Sequence, residues 1–281
     1  MKKTKLLALG LSVAMTASLL AGCGGTETAP TGTTAPENSG APAAEGVSMS
    51  VCVASEPETM DPALNRTVDG GIMAHHLFEN LYKWVDSAEG NNPDGGATAV
   101  LDLGMAAEEP EVVENADGTY TWTFKLREDA KWSDGQAVTA NDFVYAWQRL
   151  VNPELAAPYN YIIDMVVNAV EIRNGEKDPS ELGVSAPDEH TFVVNLTYNC
   201  PYFKEICAFP CTMPLRQDVV EGNANWTQDP ATYISNGPMK LESWSHNAEI
   251  VMVPNENYYD AASVTVSKLT FKLMDDTRAM L

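Results

Sequence analysis

The chain has 281 residues and carries 17 Lys+Arg against 39 Asp+Glu, a formal net charge of −22. A field of that sign repels nucleic acid and anionic head groups, which excludes both as partners held by surface charge. Acidity on this scale fits a solvated extracellular surface and assigns no particular ligand.

Lys2, Lys3 and Lys5 open the chain, and an apolar run from Leu6 to Leu20 follows, broken only by small or polar residues. That run is too short for a stable membrane span, and its flanks are those of a cleaved secretory leader. It closes with Leu20-Ala21-Gly22-Cys23, which resembles the lipobox of bacterial lipoproteins, where the cysteine is acylated and becomes the mature N-terminus. The alternative is an ordinary leader followed by an incidental cysteine. The order of the four residues at this distance from the start favours Cys23 as the lipidation site. Several acyl chains on one cysteine make a stable anchor where a single chain does not. Residues 24–46 are rich in Thr, Ala, Pro and Gly and hold no aromatic or long apolar side chain. Such a stretch cannot offset its ordering entropy and reads as a disordered tether.

Core-forming sequence starts at Val47. Ser48 to Ala54 reads as a strand, and Asp61-Pro62 as a turn. From Gly71 the apolar positions Ile72, Met73, Leu77 and Leu81 predict a helix ending near Tyr82. Asn91 to Gly96 is a loop and a candidate domain crossing. Between Gly118 and Arg127, Tyr120, Trp122, Phe124 and Leu126 alternate with polar residues, the clearest strand in the chain. Thr139 stands where a helix N-cap belongs, with Asp142 three residues on, close to a capping box. Phe143, Val144, Trp147 and Leu150 make the buried stripe of that helix, which Asn152-Pro153 ends. Further strands are predicted at His190–Thr197 and Val264–Leu273, with a hairpin from Met239–Trp244 and Glu249–Val253. Interspersed strands and helices give an α/β or α+β class. Asp275 to Leu281 reads as a helix start capped by Asp276 or Thr277 and cut off after one turn, so the chain is expected to be part of something longer.

Besides Cys23 there are Cys52, Cys200, Cys207 and Cys211. In an exported protein they are free buried thiols or form a disulfide, and the pairing among them is open. Their spacing is not that of a metal site, and no cofactor motif occurs.

The run Ala130-Lys131-Trp132-Ser133-Asp134-Gly135-Gln136-Ala137-Val138-Thr139-Ala140-Asn141-Asp142-Phe143-Val144-Tyr145-Ala146-Trp147-Gln148-Arg149-Leu150 resembles the signature of the oligopeptide-binding proteins. These belong to the extracellular solute-binding proteins (family 5) that serve peptide, nickel and related ABC importers. Shorter matches run through Asp61-Pro62, Leu77-Phe78-Glu79-Asn80-Leu81, Pro201-Tyr202-Phe203, Asn236-Gly237-Pro238 and Asn255-Glu256-Asn257-Tyr258-Tyr259. Trp132, Phe143 and Trp147 are better explained as core and turn than as ligand contacts, since a signature can specify a fold and say little about a ligand.

The resemblance implies an α/β fold of the periplasmic-binding-protein type (class II, cluster C), a two-lobed clamp truncated to its first lobe plus an extra small domain. Residues 47–84 and 197–281 would build the first lobe and residues 85–196 the small domain, with the second lobe beyond the chain. It implies a peptide held extended through its backbone, as in strand addition, with low side-chain specificity. Val68 falls where the first lobe offers backbone to the peptide, flanked by Arg66, Thr67 and Asp69, and Tyr159 falls where the small domain presents a tyrosine. Arg66 stands where peptide binders carry an acidic residue, a change that would favour a ligand carboxylate or alter peptide register. The carboxylate that pairs with a peptide's free amine belongs to the half not present. The implied partners are an oligopeptide, ABC permease and ATPase subunits, and the membrane through the lipid anchor, with the protein a monomer on the outer face of the cell membrane, or periplasmic where the host has an outer membrane.

Rival readings are a nickel- or haem-binding member of the same family and a secreted hydrolase. Against the enzyme, there is no Gly-x-Ser-x-Gly elbow and no His-Glu-x-x-His, and His75-His76 reads as a satisfied or exposed pair.

Overall fold

The computed structural model describes residues 46–87 and 99–274. The leader, Cys23, the tether, the Asn91–Gly96 loop and the helix start after Asp275 lie outside them. The described residues hold ten strands and two full helices, in the order β1 (Val47–Val53), α1 (Val68–Leu77), β2 (Tyr82–Asp86), β3 (Ala99–Leu103), β4 (Glu111–Glu114), β5 (Tyr120–Lys125), α2 (Ala140–Val151), β6 (Val184–Asp188), β7 (Thr191–Leu196), β8 (Met239–Ser245), β9 (Glu249–Pro254) and β10 (Val266–Leu273). Shorter helical turns fill the connections. No helix among the described residues is long and apolar enough to cross a membrane.

One four-stranded sheet, in the order β1-β10-β9-β8, joins the two ends of the described chain. β1 runs parallel to β10, which pairs antiparallel with β9, and β8 and β9 form the expected hairpin. A second sheet, β4-β5-β7-β6, is wholly antiparallel. The β2–β3 ribbon stands alone.

The alternation in β5 works as the period of two requires. Trp122 and Phe124 are buried, and Thr121 and Thr123 occupy the other face. α2 lies across that apolar face. Phe143 meets Phe192 of β7 at 5.4 Å between ring centroids, and Trp147 meets the same ring edge-on at 5.3 Å. Trp132, Phe143 and Trp147 are fully buried, so the signature is filled by core side chains. Val144 is only half-buried, and Ala140, Ala146 and Val151 complete the buried face in its place. At the start of α2 the Asp142 carboxylate accepts from the Thr139 backbone N–H (2.7 Å) and from Trp132 Nε1 (3.3 Å). Burial nevertheless raises its pKa against those bonds and the nearby Arg216 charge.

The first helix differs from its sequence reading. It begins at Val68 and ends at Leu77, because Thr67 caps it and Phe78 is already extended. Leu81 is buried without being helical, and Tyr82 starts β2. Helical spacing and burial coincide there by chance of a tight turn. β2, β3, β4 and β6 were not anticipated: all are short, and their exposed or irregular patterns carry no clean alternation.

Several links tie the first segment to the rest. Arg149 of α2 donates two hydrogen bonds to Asp61 (2.6 and 3.1 Å) in a largely buried pair. Gly237 lies so close to the end of α1 that a Cβ would sit 2.6 Å from the Leu77 carbonyl carbon, which is why a side chain is excluded. Beside it Asn236 exchanges hydrogen bonds with the backbone of Glu79 (3.1 and 3.0 Å). The buried Glu79 carboxylate accepts from the hydroxyls of Tyr258 and Tyr259 and lies 3.4 Å from Lys83 Nζ.

Candidate functional site

A cavity of about 470 Å³ opens beside the start of α1. Small-molecule sites usually occupy roughly 300–1,000 Å³. Three stretches wall it: the loop and first turns from Asn65 to His75, Trp84 on β2 with Tyr159 from the connection after α2, and the turn Ala208–Cys211.

The first wall is set by an asparagine loop. Asn65 Oδ1 accepts from the Thr67 backbone N–H and from its hydroxyl, both at 3.1 Å, and Nδ2 donates to Thr67 O at 3.1 Å. Thr67 Oγ1 then accepts from Gly70 N (3.1 Å), capping α1. A Cβ at Gly70 would stand 2.1 Å from Asn65 Oδ1, so this loop requires glycine. Val68 and Asp69 lie in the first turn, where backbone N–H groups lack intrahelical partners. The backbone of Val68 therefore offers a donor, while its carbonyl points into the helix. Its side chain is 80% exposed.

The predicted ligand residues separate on inspection. Arg66, Thr67, Val68 and Tyr159 line this one cavity. Asp69 does not; its carboxylate accepts from Ser55 Oγ at 2.9 Å. Arg66 is not a free cation, because Nε and Nη2 donate to the two oxygens of Glu58 (2.8 and 3.2 Å). That pairing raises the Arg66 pKa and lowers that of Glu58. Tyr159 is half-buried and stands edge-on to Phe209, with centroids 5.4 Å apart.

The third wall is fixed from a distance. Asn80 Nδ2 donates to Phe209 O (2.9 Å) and to Thr212 Oγ1 (2.8 Å), and the Tyr82 N–H donates to Cys207 O (3.2 Å). The residues that launch β2 thus also hold the turn that faces Trp84. Cys200, Cys207 and Cys211 are buried free thiols, and Cys52 is an exposed one, with Sγ 3.8 Å from Met274 Sδ. Burial pushes the Cys211 thiol up to about 12 and also raises Cys207 well above its ordinary value. No cluster of three metal-ligating side chains occurs among the described residues.

His75 and His76 have different roles. His75 opens onto the cavity, and crowding by the surrounding protein, with His76 beside it, lowers its pKa. His76 bonds Ile72 O through Nδ1 (2.8 Å) and stands edge-on to Phe271. The sequence reading passed over Ile72, His75, Trp84, Phe209 and Pro210 as site residues. Ile72 was legible as an apolar helical position. Phe209 and Pro210 are brought here by the long-range Asn80 bonds.

A family model described as bacterial extracellular solute-binding proteins, family 5, middle region, matches residues 103–281. The periplasmic oligopeptide-binding protein OppA of Salmonella typhimurium is 38% identical over 220 residues, which is 77% of this chain and 37% of that protein. The oligopeptide-binding protein OppA of Bacillus subtilis is 30% identical over 235 residues, 83% of this chain and 40% of its own length. Among solved structures, Burkholderia pseudomallei OppA matches with a TM-score of 0.72 at 34% identity, covering 84% of this chain and 44% of that one. Listeria monocytogenes OppA bound to peptide matches with a TM-score of 0.72 at 32% identity over the same shares. The chain spans well under half the length of these relatives. Its described residues have the α/β fold of the corresponding portion of those binding proteins, and the chain belongs to the bacterial extracellular solute-binding proteins of family 5.

Proposed function

We propose that this chain is the first-lobe portion of a substrate-binding component of an ABC importer, and that it captures oligopeptides outside the cell. The observation that carries the reading is the cavity beside α1, where Val68, Thr67 and Tyr159 meet within a family whose relatives are oligopeptide-binding proteins by name. A structure of the Haemophilus influenzae relative is a complex with the peptide RPPGFSPFR. In this reading residues 47–84 and 197–281 form the first lobe and residues 85–196 the small domain. A second lobe supplied by the rest of the protein closes over the ligand, and the closed form is favoured by contacts to both walls. The Val68 amide supplies a backbone donor, and Tyr159 packs against the ligand.

Delivery to permease and ATPase subunits, anchoring through acylated Cys23 on the outer face of the cell membrane and a monomeric state belong to the same proposal. Solute binding, not catalysis, is the activity. Native mass spectrometry of the mature protein purified from its host tests the ligand class: co-purified short peptides support it, whereas bound nickel or haem replaces it. Tyr159→Ala should weaken peptide affinity by calorimetry, and unchanged affinity removes Tyr159 from the site.

A further inference from the structure

The cavity beside α1 combines two features that a generic backbone-binding cleft does not need. First, its surface is apolar and in large part aromatic. Ile72, Trp84, Tyr159, Phe209 and Pro210 face one space. Trp84 is 49% exposed on a strand whose neighbours Tyr82 and Lys83 both have partners, and Val68 at the rim is 80% exposed. Two large apolar groups left open beside one concavity are a feature of binding surfaces. Second, the charges around it are cancelled. Arg66, the one permanent cation on the lining, is paired with Glu58 through two hydrogen bonds at the solvent-exposed rim. Asp69, the nearest acid of α1, is turned away to Ser55. The pKa of His75 is lowered, and burial pushes the Cys211 thiol up to about 12. The polar atoms of Asn65 and Thr67 are satisfied by one another and by the helix start.

From this pairing of open aromatic surface with cancelled charge, we infer that the cavity is a selective subsite for one bulky apolar side chain of the ligand, aromatic above aliphatic, and that it rejects charged side chains. The inference rests on the peptide reading above and gives it a preference that backbone recognition alone does not supply. A phenyl or indole ring entering the space meets Trp84 and the Tyr159–Phe209 pair, whose edge-on packing at 5.4 Å already presents an aromatic wall. Offset and edge-to-face contacts add to the area buried. A lysine or glutamate side chain would give up its hydration against these walls, whose own charged groups already have partners. The polar side chains here act on the loop, not on the guest.

The test is a binding series on the mature native protein. Alanine tetrapeptides carry Phe, Leu, Lys or Glu at each position in turn, and affinity is read by calorimetry. Burying one such side chain is worth about ten- to hundred-fold in affinity. At one position Phe and Leu should bind at least about ten-fold tighter than Lys or Glu, with Phe the tightest. Trp84→Ala should collapse that difference at the same position while the circular dichroism spectrum stays unchanged, since Trp84 lies on the surface. Binding that is indifferent to side chain at every position overturns the subsite and leaves the peptide reading standing. A preference that survives Trp84→Ala also overturns it, because the selective pocket then lies elsewhere. Failure of all the peptides to bind overturns the peptide reading and the subsite together.

Discussion

The aromatic block under α2 and the apolar rim of the cavity are made from the same kinds of side chain, placed to opposite ends. In the first, Phe124, Phe143, Trp147, Phe192 and Phe203 have no measurable exposure, and the ring of Phe192 touches three of the others. The buried indole of Trp147 donates to Thr212 O at 3.0 Å, so that polar group is satisfied as well. In the second, Trp84 and Val68 stay in solvent and the Tyr159–Phe209 pair is only half covered. Packing is completed in one region and withheld in the other. The subsite inferred above depends on that open apolar surface.

Truncation should expose the contrast most strongly. Phe192→Ala removes the centre of the block and should cost about 3–5 kcal/mol of stability in urea unfolding. The same truncation at Trp84 should stay within about 0.5 kcal/mol, as exposed positions do. A comparable loss at the two sites would mean that Trp84 belongs to the core. At the cavity edge, Thr67→Ala removes the hydroxyl that caps Gly70 and should cost about 1 kcal/mol. Thr67→Asn should restore most of it, and if Asn behaves like Ala the cap is not what holds this loop.

The smallest effect is electrostatic and confined to acid. His75 has a lowered folded pKa, so the unfolded chain takes up its proton first, near the ordinary value of 6.5. Stability is then level above that pH and falls as pH drops through it toward the folded pKa. His75→Gln should flatten part of the acid-side decline in the urea midpoint between about pH 7.5 and 5.5. Parallel curves for the two proteins would show that His75 is no less basic in the fold than in water.

Much of the block could be read from the residues. The β5 alternation, the Thr139–Asp142 start of α2, the Phe143/Trp147 stripe and the β8–β9 hairpin each follow from a period or a cap that operates over a few residues. The cavity was legible only in part. Arg66, Thr67, Val68 and Tyr159 came from resemblance to a family, and Asp69 proved to face Ser55 instead. Trp84 was hidden because the helix was extended through Leu81, whose burial serves a turn. Phe209 and Pro210 carry no local signal at all. Their place is set by an amide at Asn80, more than a hundred residues earlier in the chain.

Three buried sulfhydryls, Cys200, Cys207 and Cys211, fall within a dozen residues of one another, and burial raises the pKa of each. Burial keeps such thiols unreactive, since an alkylating or oxidising reagent needs a thiolate it can reach. Cys211 reports on the cavity itself. The speed at which it takes up a thiol label is a clock for how often the Ala208–Cys211 turn swings open, and a guest seated against Phe209 should slow that clock.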